Sequence, residues 1–331
     1  MLAGGALPPQ LEFKINLIKY MKTKSKSCIY VACRPIYGVV CAGAVVLIAA
    51  SAPAQVLFVG GGYNNNIVEI TPGGSQSVFV SGLNGAGGVA FDGAGNLFVT
   101  DGGGNIIKIT PGGSQSTFAS GLNAPGGLAF NSAGNLFEAD NSSGTIYEFT
   151  PSGARTTFAT GLNYPGGLAF DRAGNLFEAD GASGNVYKFT PGGTRTTFAS
   201  GLAYPVGLAF DSAGNLFETD FLGGNINKFT PGGVESTFSA GWTYPQALAF
   251  DLAGNLYLFA GSYLNSAITE FTPGGSQSTF ASGFTVPTTD GLAFQNVMLP
   301  VPEPSVLGLL AVGVSALLVH CRRRSNSTTP Q

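Results

Sequence analysis

Between residues 55 and 297 the sequence contains no histidine and no cysteine. The only histidine of the chain is His320, and the four cysteines are Cys28, Cys33, Cys41 and Cys321. Nucleophilic catalysis by a Ser-His or Cys-His pair and the commonest zinc sites depend on these two residue types. The central part of the chain therefore has neither, and it must fold without disulfide bonds.

Basic residues are also scarce in this central part. Nine of the fifteen Lys and Arg residues lie outside residues 55–297, which leaves six basic against sixteen acidic side chains and a formal charge of −10. We predict no nucleic-acid partner and no binding to an anionic membrane surface, because both require positive charge.

What the sequence has in excess is repetition. The tetrad Gly-Asn-Leu-Phe/Tyr recurs at steps of 39, 40, 40 and 40 residues, beginning at Gly95, Gly134, Gly174, Gly214 and Gly254. A period near 40 residues that is built from short strands is typical of a β-propeller, in which each repeat forms one blade. Within the unit Pro165–Leu202 we predict four strands, at Gly167–Phe170, Leu176–Ala179, Val186–Phe189 and Thr196–Ala199.

The two ends of the repeat array indicate how the ring closes. The array opens on Val56–Val59, a second strand with no first strand before it, and it ends on Gly291–Phe294, a first strand with no second strand after it. Pairing the two would complete one blade and remove the open edges. We therefore predict an all-β fold, a six-bladed propeller over residues 55–297.

The first 54 residues have the features of a secretory signal peptide. Four basic residues between positions 22 and 34 precede an apolar run, Val39–Ala50, and Ala52-Pro53-Ala54 supplies small residues for cleavage. A second interpretation is a membrane anchor, for which an apolar run of about a dozen residues is short. Because Met21 stands just before the basic cluster, residues 1–20 could also be a misassigned start.

Residues 298–331 form a tail with three parts. The triad Pro302-Glu303-Pro304 precedes an apolar segment, which we predict to be a helix over 306–320, and the cluster Arg322-Arg323-Arg324 follows. The prolines would end the propeller, the apolar segment would enter the bilayer and the arginines would stay in the cytoplasm. The alternative is a plain C-terminal anchor that is never processed.

Both the tail and the repeat resemble known families. The tail resembles the bacterial PEP-CTERM sorting signal, which implies export, a membrane-anchored intermediate and removal of the tail by an exosortase, a membrane protease, for release to the cell surface. The unit G(L/V)AFD–AGNLF–AD–GN(V/I)–(F/I)TP resembles the NHL-type repeat and the wider gluconolactonase and streptogramin-lyase-like group of propellers. The lyases of that group use histidine, and the channel ligands of the gluconolactonase-like enzymes have no matching set here, so the resemblance implies the fold and not an activity.

Acidic residues at the ends of the second strands are the candidate binding residues. Four consecutive blades have an aspartate there, and Gly60 and Ala260 replace it in the other two; the aspartates are Asp101, Asp140, Asp180 and Asp220. They could form an acidic rim for a cation, a sugar or a peptide, or each could cap its own loop in an Asx-type turn. Their repetition favours the turn. We predict no cofactor, and Ca²⁺ is the ion that such a rim would suit.

Three glutamates lie two residues earlier in the same strands, at Glu138, Glu178 and Glu218. A hairpin centred near residue 183 would pair Glu178 with Lys188. The same register would pair Glu218 with Lys228 and set Glu138 opposite Glu148. Glu138 and Glu148 are therefore further binding candidates. The interpretation that we favour is a solvated outward face, which is usual for glutamate.

Aromatic residues lie in the crossings from one blade to the next, at Tyr164, Tyr204, Trp242 and Tyr244. They could stack on a carbohydrate at the end opposite the aspartates, although packing between blades is the interpretation that we favour.

The similarity of the blades favours a non-enzymatic, exported propeller that acts as a binding or structural module of the cell surface or exopolysaccharide matrix. Its partner would be a carbohydrate or another surface protein. One alternative is a metal-dependent hydrolase or lactonase of the gluconolactonase-like group, and another is a passive spacer.

Overall fold

The computed structural model describes residues 55–61, 65–262, 265–284 and 291–295. The predicted signal region and the predicted sorting tail with its helix lie outside the described residues. Within the described part of the chain, no helix is long and apolar enough to span a membrane.

Six four-stranded antiparallel sheets make up the structure, and each sheet is one blade. Blade 1 contains β1 (Leu57–Gly60), β2 (Ile67–Ile70), β3 (Gln76–Val80) and the last strand of the chain, β24 (Leu292–Phe294). Blade 2 contains β4 (Ala86–Phe91), β5 (Leu97–Asp101), β6 (Asn105–Ile109) and β7 (Gln115–Ala119). Blade 3 contains β8 (Pro125–Phe130), β9 (Leu136–Asp140), β10 (Thr145–Phe149) and β11 (Arg155–Ala159).

The other three blades repeat this plan. Blade 4 contains β12 (Pro165–Phe170), β13 (Leu176–Asp180), a 3-10 turn (Gly181–Ser183), β14 (Asn185–Phe189) and β15 (Arg195–Ser200). Blade 5 contains β16 (Pro205–Phe210), β17 (Leu216–Asp220), β18 (Asn225–Phe229) and β19 (Glu235–Ala240). Blade 6 contains β20 (Pro245–Phe250), β21 (Leu256–Ser262), β22 (Asn265–Phe271) and β23 (Gln277–Phe284).

The ring closes as the two ends of the repeat array predicted. Strand β24 pairs with β1, with Leu292 opposite Val59 and Phe294 opposite Leu57, so the first blade is assembled from both ends of the array. The first strands of neighbouring blades lie against one another and surround the axis. The fourth strands form the outer edge, where Thr196 and Thr197 are exposed.

The hydrophobic core lies between the blades. Phe137 and Ala139 of blade 3 pack against Leu168, Leu176 and Phe189 of blade 4, and the same arrangement recurs at the other blade interfaces. The inner strands of each blade are therefore covered by a neighbouring blade on both faces, whereas many antiparallel sheets have one face exposed to solvent. The second strands show this most clearly, because every residue of Leu176–Asp180 is buried.

Asx turns connect the first strand of a blade to the second. In blade 4 the Asp171 Oδ1 accepts hydrogen bonds from the backbone N–H groups of Ala173 and Asn175, at 2.9 and 2.8 Å. Lys188 lies 3.8 Å from the same carboxylate and stacks over the ring of Phe177. These aspartates therefore act as turn formers.

Candidate binding surface at one mouth of the propeller

The aspartates that end the second strands and the crossings between blades lie at the same end of the ring. Pro165, which begins the first strand of blade 4, pairs with Asp180, which ends the second strand. The prediction that Tyr164, Tyr204, Tyr244 and Trp242 lie at the end opposite the aspartates was therefore wrong. In an antiparallel pair, one strand begins where its neighbour ends, so both features must share an end.

The carboxylates of these aspartates are occupied by backbone N–H groups. Asp180 is 1 % exposed, and its Oδ2 accepts from Asn163 N in the preceding crossing at 2.8 Å, while Oδ1 accepts from Ser183 N in its own loop. Asp140 and Asp220 make the corresponding bonds, and Asp101 accepts from Gly103 and Asn105. These bonds are those of a structural turn. A ligand role for the four aspartates stays a prediction.

The register between the second and third strands differs from the predicted one by one residue. Glu178 lies opposite Tyr187, and Lys188 lies opposite Phe177. In the same way Glu218 lies opposite Asn227, and Glu138 lies opposite Tyr147. The predicted pairs of Glu178 with Lys188, Glu218 with Lys228 and Glu138 with Glu148 were therefore wrong. The loop between Asp180 and Asn185 has four residues, and a one-residue slip moves every side chain to the other face.

The predicted solvated face for these glutamates was also wrong, since Glu138, Glu178 and Glu218 are each 0 % exposed. Glu178 shares its face with Leu176 and with its cross-strand neighbour Leu168, both of which belong to the apolar cluster between blades 3 and 4. Glu138 and Glu218 occupy the same position between blades 2 and 3 and between blades 4 and 5. At this position Val99 and Leu258 stand in blades 2 and 6.

The three buried carboxyls have almost no hydrogen-bond partners among the described residues. Neither carboxyl oxygen of Glu138 or of Glu178 has one, and Glu218 has only the Asn227 amide, which donates to Oε2 at 3.1 Å. Burial raises the pKa of Glu138 to about 9, and the Asp140 carboxylate adds to this rise. Burial likewise raises the pKa values of Glu178 and Glu218 well above the usual range. Burial therefore favours the protonated form of all three side chains, and Glu138, with a pKa of about 9, is protonated at neutral pH.

Glu148 lies apart from this row, at the opposite end of the strand pair. Its Oε1 accepts from the Asn135 side-chain amide at 2.7 Å. In blade 4 the equivalent amide of Asn175 donates to Asp171. Blade 3 has Asn131 in place of that aspartate, and Glu148 supplies the carboxylate in its stead. The apparent clash between Glu138 and Glu148 does not exist, because the two side chains lie on different faces of the sheet.

Three of the crossing residues form an aromatic group that we call the tyrosine crescent: Tyr164, Tyr204 and Tyr244. Each precedes a proline and adopts a left-handed backbone, with φ values of 63°, 76° and 46°. Tyr164 is 52 % and Tyr244 46 % exposed, so packing between blades does not cover them. Tyr244 stacks on Phe221 with ring centroids 4.9 Å apart, and Tyr204 lies over Gly181.

A pocket of about 370 Å³, the mouth pocket, opens at the axis beside this crescent. Gly126, Gly166 and Val206 of the innermost strands form part of its wall. The other side chains at its wall are Asn141, Tyr164, Tyr204, Pro205, Phe221, Leu222 and Gln246. None of the lining side chains carries a charge. Neither the aspartates nor the buried glutamates line this pocket. The mouth therefore offers aromatic rings and the Asn141 amide to a ligand, whereas Gln246 is buried in the wall.

No group of three or more His, Cys, Asp or Glu side chains suited to a metal ion occurs among the described residues. The four aspartates that end the second strands instead lie one to a blade, in blades 2 to 5.

Comparison with known proteins supports the interpretation of the tail. Residues 300–324 match the PEP-CTERM protein-sorting motif. The chain carries a PEP-CTERM sorting signal. This signal implies export through a membrane-anchored intermediate and sorting to the cell surface by an exosortase. No curated protein matches this chain by sequence.

Solved structures share the propeller fold. A nidogen/laminin complex contains a chain with 22 % identity, which covers 73 % of this chain and 98 % of its own, at a TM-score of 0.65. Virginiamycin B lyase from Staphylococcus aureus has 15 % identity and covers 74 % of this chain and 89 % of its own, at a TM-score of 0.58. A gluconolactonase from Xanthomonas campestris has 17 % identity and covers 73 % of this chain and 90 % of its own, at a TM-score of 0.56. The predicted resemblance to these propellers is confirmed for the fold, and at such identities the likeness shows the fold alone.

Proposed function

We propose that this protein is a non-enzymatic binding module, delivered to the cell surface or exopolysaccharide matrix, that holds a carbohydrate in the mouth pocket. The observation that carries this proposal is the tyrosine crescent. A left-handed backbone costs a residue with a Cβ roughly 1–2 kcal/mol, and glycine adopts it without this cost. Blade 2 has Gly85 at the same position, with φ 68°. The left-handed backbone therefore does not explain why blades 4 to 6 have a tyrosine at this position, since glycine would adopt it at a lower cost in free energy.

The chemistry of the pocket supports a neutral sugar as the ligand. Exposed tyrosine rings offer flat faces against which the C–H face of a sugar ring can pack, and their hydroxyl groups can exchange hydrogen bonds. Asn141 adds an amide group without charge. The volume lies at the small end of the range that is usual for ligand pockets. Backbone strain retained at a site of exposed rings agrees with a binding role.

Replacing two crescent residues by glycine, Tyr164→Gly and Tyr204→Gly together, should weaken glycan binding while leaving the fold intact. Each lost ring contact is expected to reduce the affinity about two- to tenfold. Glycan-array screening of the wild type, followed by calorimetric titration of the best ligand, measures the effect. The melting temperature should be unchanged or higher, since Gly85 already occupies this position in blade 2. Equal affinities for the double variant and the wild type would refute the mouth pocket as the site.

The sorting signal gives a separate prediction. Replacing Pro302-Glu303-Pro304 by three alanines should keep the protein in the membrane fraction, because the triad is what the processing protease is expected to recognise. Cell fractionation and immunoblotting with an antibody against the propeller measure release and the change in mass. The outer-edge variant Thr196→Ala serves as a matched control and should be released normally. If the alanine variant is released as the wild type is, the tail is not processed through this triad.

A further inference from the structure

Blade 6, like blade 1 with its Gly60, departs from blades 2 to 5 where its second strand ends. Ala260 pairs with Pro245 as Asp180 pairs with Pro165, so alanine occupies the position that an aspartate has in blades 2 to 5. The strands β21 and β22 each have seven residues, against five in β13 and β14. The end of this blade is therefore built differently.

The consequence of Ala260 is an open space beneath the crossing. In blade 4 the Asp180 carboxylate fills this space and accepts from Asn163 N. The methyl group of Ala260 cannot accept a hydrogen bond, so residue 260 does not accept from the corresponding N–H of Thr243 as Asp180 does from Asn163 N. The space forms a pocket of about 300 Å³, the blade 6 pocket. Its side chains include Trp242, Thr243, Ala260, Ser262, Asn265 and Thr269.

The side chains of this pocket define the chemistry of its ligand. An indole, an amide and three hydroxyl groups line it, and none of the lining residues is charged. Trp242 Nε1 donates to Ser239 Oγ at 2.9 Å, and its ring packs against Phe271 with centroids 5.7 Å apart. These contacts orient the indole, which is half-buried and keeps part of its surface at the pocket. Hydroxyl and amide groups can both donate to and accept from the hydroxyls of a sugar, and an indole packs against its C–H face.

Charge argues for a neutral ligand. The central part of the chain has a formal charge of −10, which repels an anion, and the pocket has no cationic group to offset this repulsion. A cation would in turn find no carboxylate in the lining. We propose that the blade 6 pocket is a second binding site, which takes one residue of a neutral glycan. The inference does not depend on the mouth pocket, with which the blade 6 pocket shares no lining residue.

Trp242 makes this site directly observable, because it is the only tryptophan of the chain. The full chain would be purified in a detergent without a sugar headgroup and titrated with maltotetraose, cellotetraose, mannotetraose and galactotetraose, with trigalacturonate as the anionic comparison. We expect a saturable change in tryptophan fluorescence with at least one neutral tetrasaccharide. The same titration of Tyr164→Gly should give the same result. If no neutral sugar changes the fluorescence at millimolar concentration, or if trigalacturonate binds more tightly, the proposal is overturned.

Two substitutions test the open space itself. Ala260→Asp restores the residue of blades 2 to 5, and Ala260→Asn is its uncharged counterpart of the same size. Both should fill the pocket and reduce the affinity for the neutral sugar at least tenfold, with a melting temperature at or above that of the wild type. Wild-type affinity in both variants would show that the sugar binds elsewhere. If only Ala260→Asp lost affinity, the result would contradict a neutral ligand, because the charge of the side chain and not its volume would then weaken binding.

Discussion

The stability of the propeller is expected to fall as the pH rises from 5 to 9. Glu138, Glu178 and Glu218 are buried and form no ion pair with the residues that the structure describes. Burial raises the pKa of Glu138 to about 9 from an ordinary value of 4.5. A carboxyl whose pKa is higher in the folded state binds its proton more tightly there. Its stabilising contribution is complete below pH 4.5 and is lost as the pH rises toward 9. Each such carboxyl contributes up to about 1.4 kcal/mol per pH unit within this window.

The charged groups around the three glutamates do not reverse this expectation. Asp140 and Asp180 add to the rise for Glu138 and Glu178, while Arg155 and Arg195 oppose it less strongly than burial raises it. For Glu218, the Asn227 amide opposes the rise, and Asp220 and Glu235 add to it. Histidine and cysteine are the side chains whose ordinary pKa values lie inside the window, and residues 55–297 contain neither.

Urea unfolding of the full chain at pH 5, 6, 7 and 8 measures this effect. We expect the free energy of unfolding to decrease at every step and by more than about 1.4 kcal/mol per pH unit where at least two carboxyls titrate together. The variant Glu148→Gln is a suitable control, since Glu148 is half-buried and hydrogen-bonded by Asn135. It should retain the full pH dependence. A flat profile for the wild type between pH 5 and 8 would show that the pKa values of these carboxyls are not raised in the folded state.

Replacing the three glutamates by leucine should stabilise the propeller at pH 8. Val99 and Leu258 occupy the same position in blades 2 and 6, both 0 % exposed, so the fold accepts an apolar side chain there. Exchanging buried ionisable groups for apolar ones of similar volume is often neutral or stabilising by about 1–4 kcal/mol. We expect a gain of this order from Glu138→Leu and Glu178→Leu together, measured by urea unfolding at pH 8, and a smaller pH dependence.

The third site needs a paired change. Glu218→Leu alone would leave the buried Asn227 amide without its acceptor, at a cost of about 1–3 kcal/mol. Asn227→Tyr in the same chain introduces the residue that blades 3 and 4 have at this position, Tyr147 and Tyr187, and should recover the gain in stability.

Glutamine at the three glutamate positions removes the titrating groups but leaves buried amides. Those variants should therefore lose the pH dependence without becoming more stable. Destabilised leucine variants with an unchanged pH profile would disprove the role assigned to these carboxyls.

Features that depend on local sequence were predictable in detail. The four strands of Pro165–Leu202 and the Asp171 turn follow from residues a few positions apart, because turn geometry is set by the local backbone and its nearest side chains. Ring closure was predictable for a different reason. The unmatched strands at Val56–Val59 and Gly291–Phe294 complete each other only if they pair.

Features that depend on register and on neighbouring blades were not predictable. The strand that contains Glu178 alternates as a half-exposed strand would, yet in a propeller both of its faces are covered. Because the predicted register was wrong by one residue, we predicted a surface ion pair for Glu178, whereas the structure buries this carboxyl. The mouth pocket was missed for a related reason, since its wall combines residues of four blades that are up to 120 positions apart in the chain.

The sequence by itself determined the number of blades, the closure of the ring, the turns and the sorting signal. Each of these is encoded either within one repeat or by the comparison of one repeat with the next. Only the tertiary structure decided which side chains are buried and which meet, because blade packing brings together surfaces that no local pattern relates. It placed the crescent and the aspartates at one end, buried three glutamates between blades, and left open the space beside Ala260.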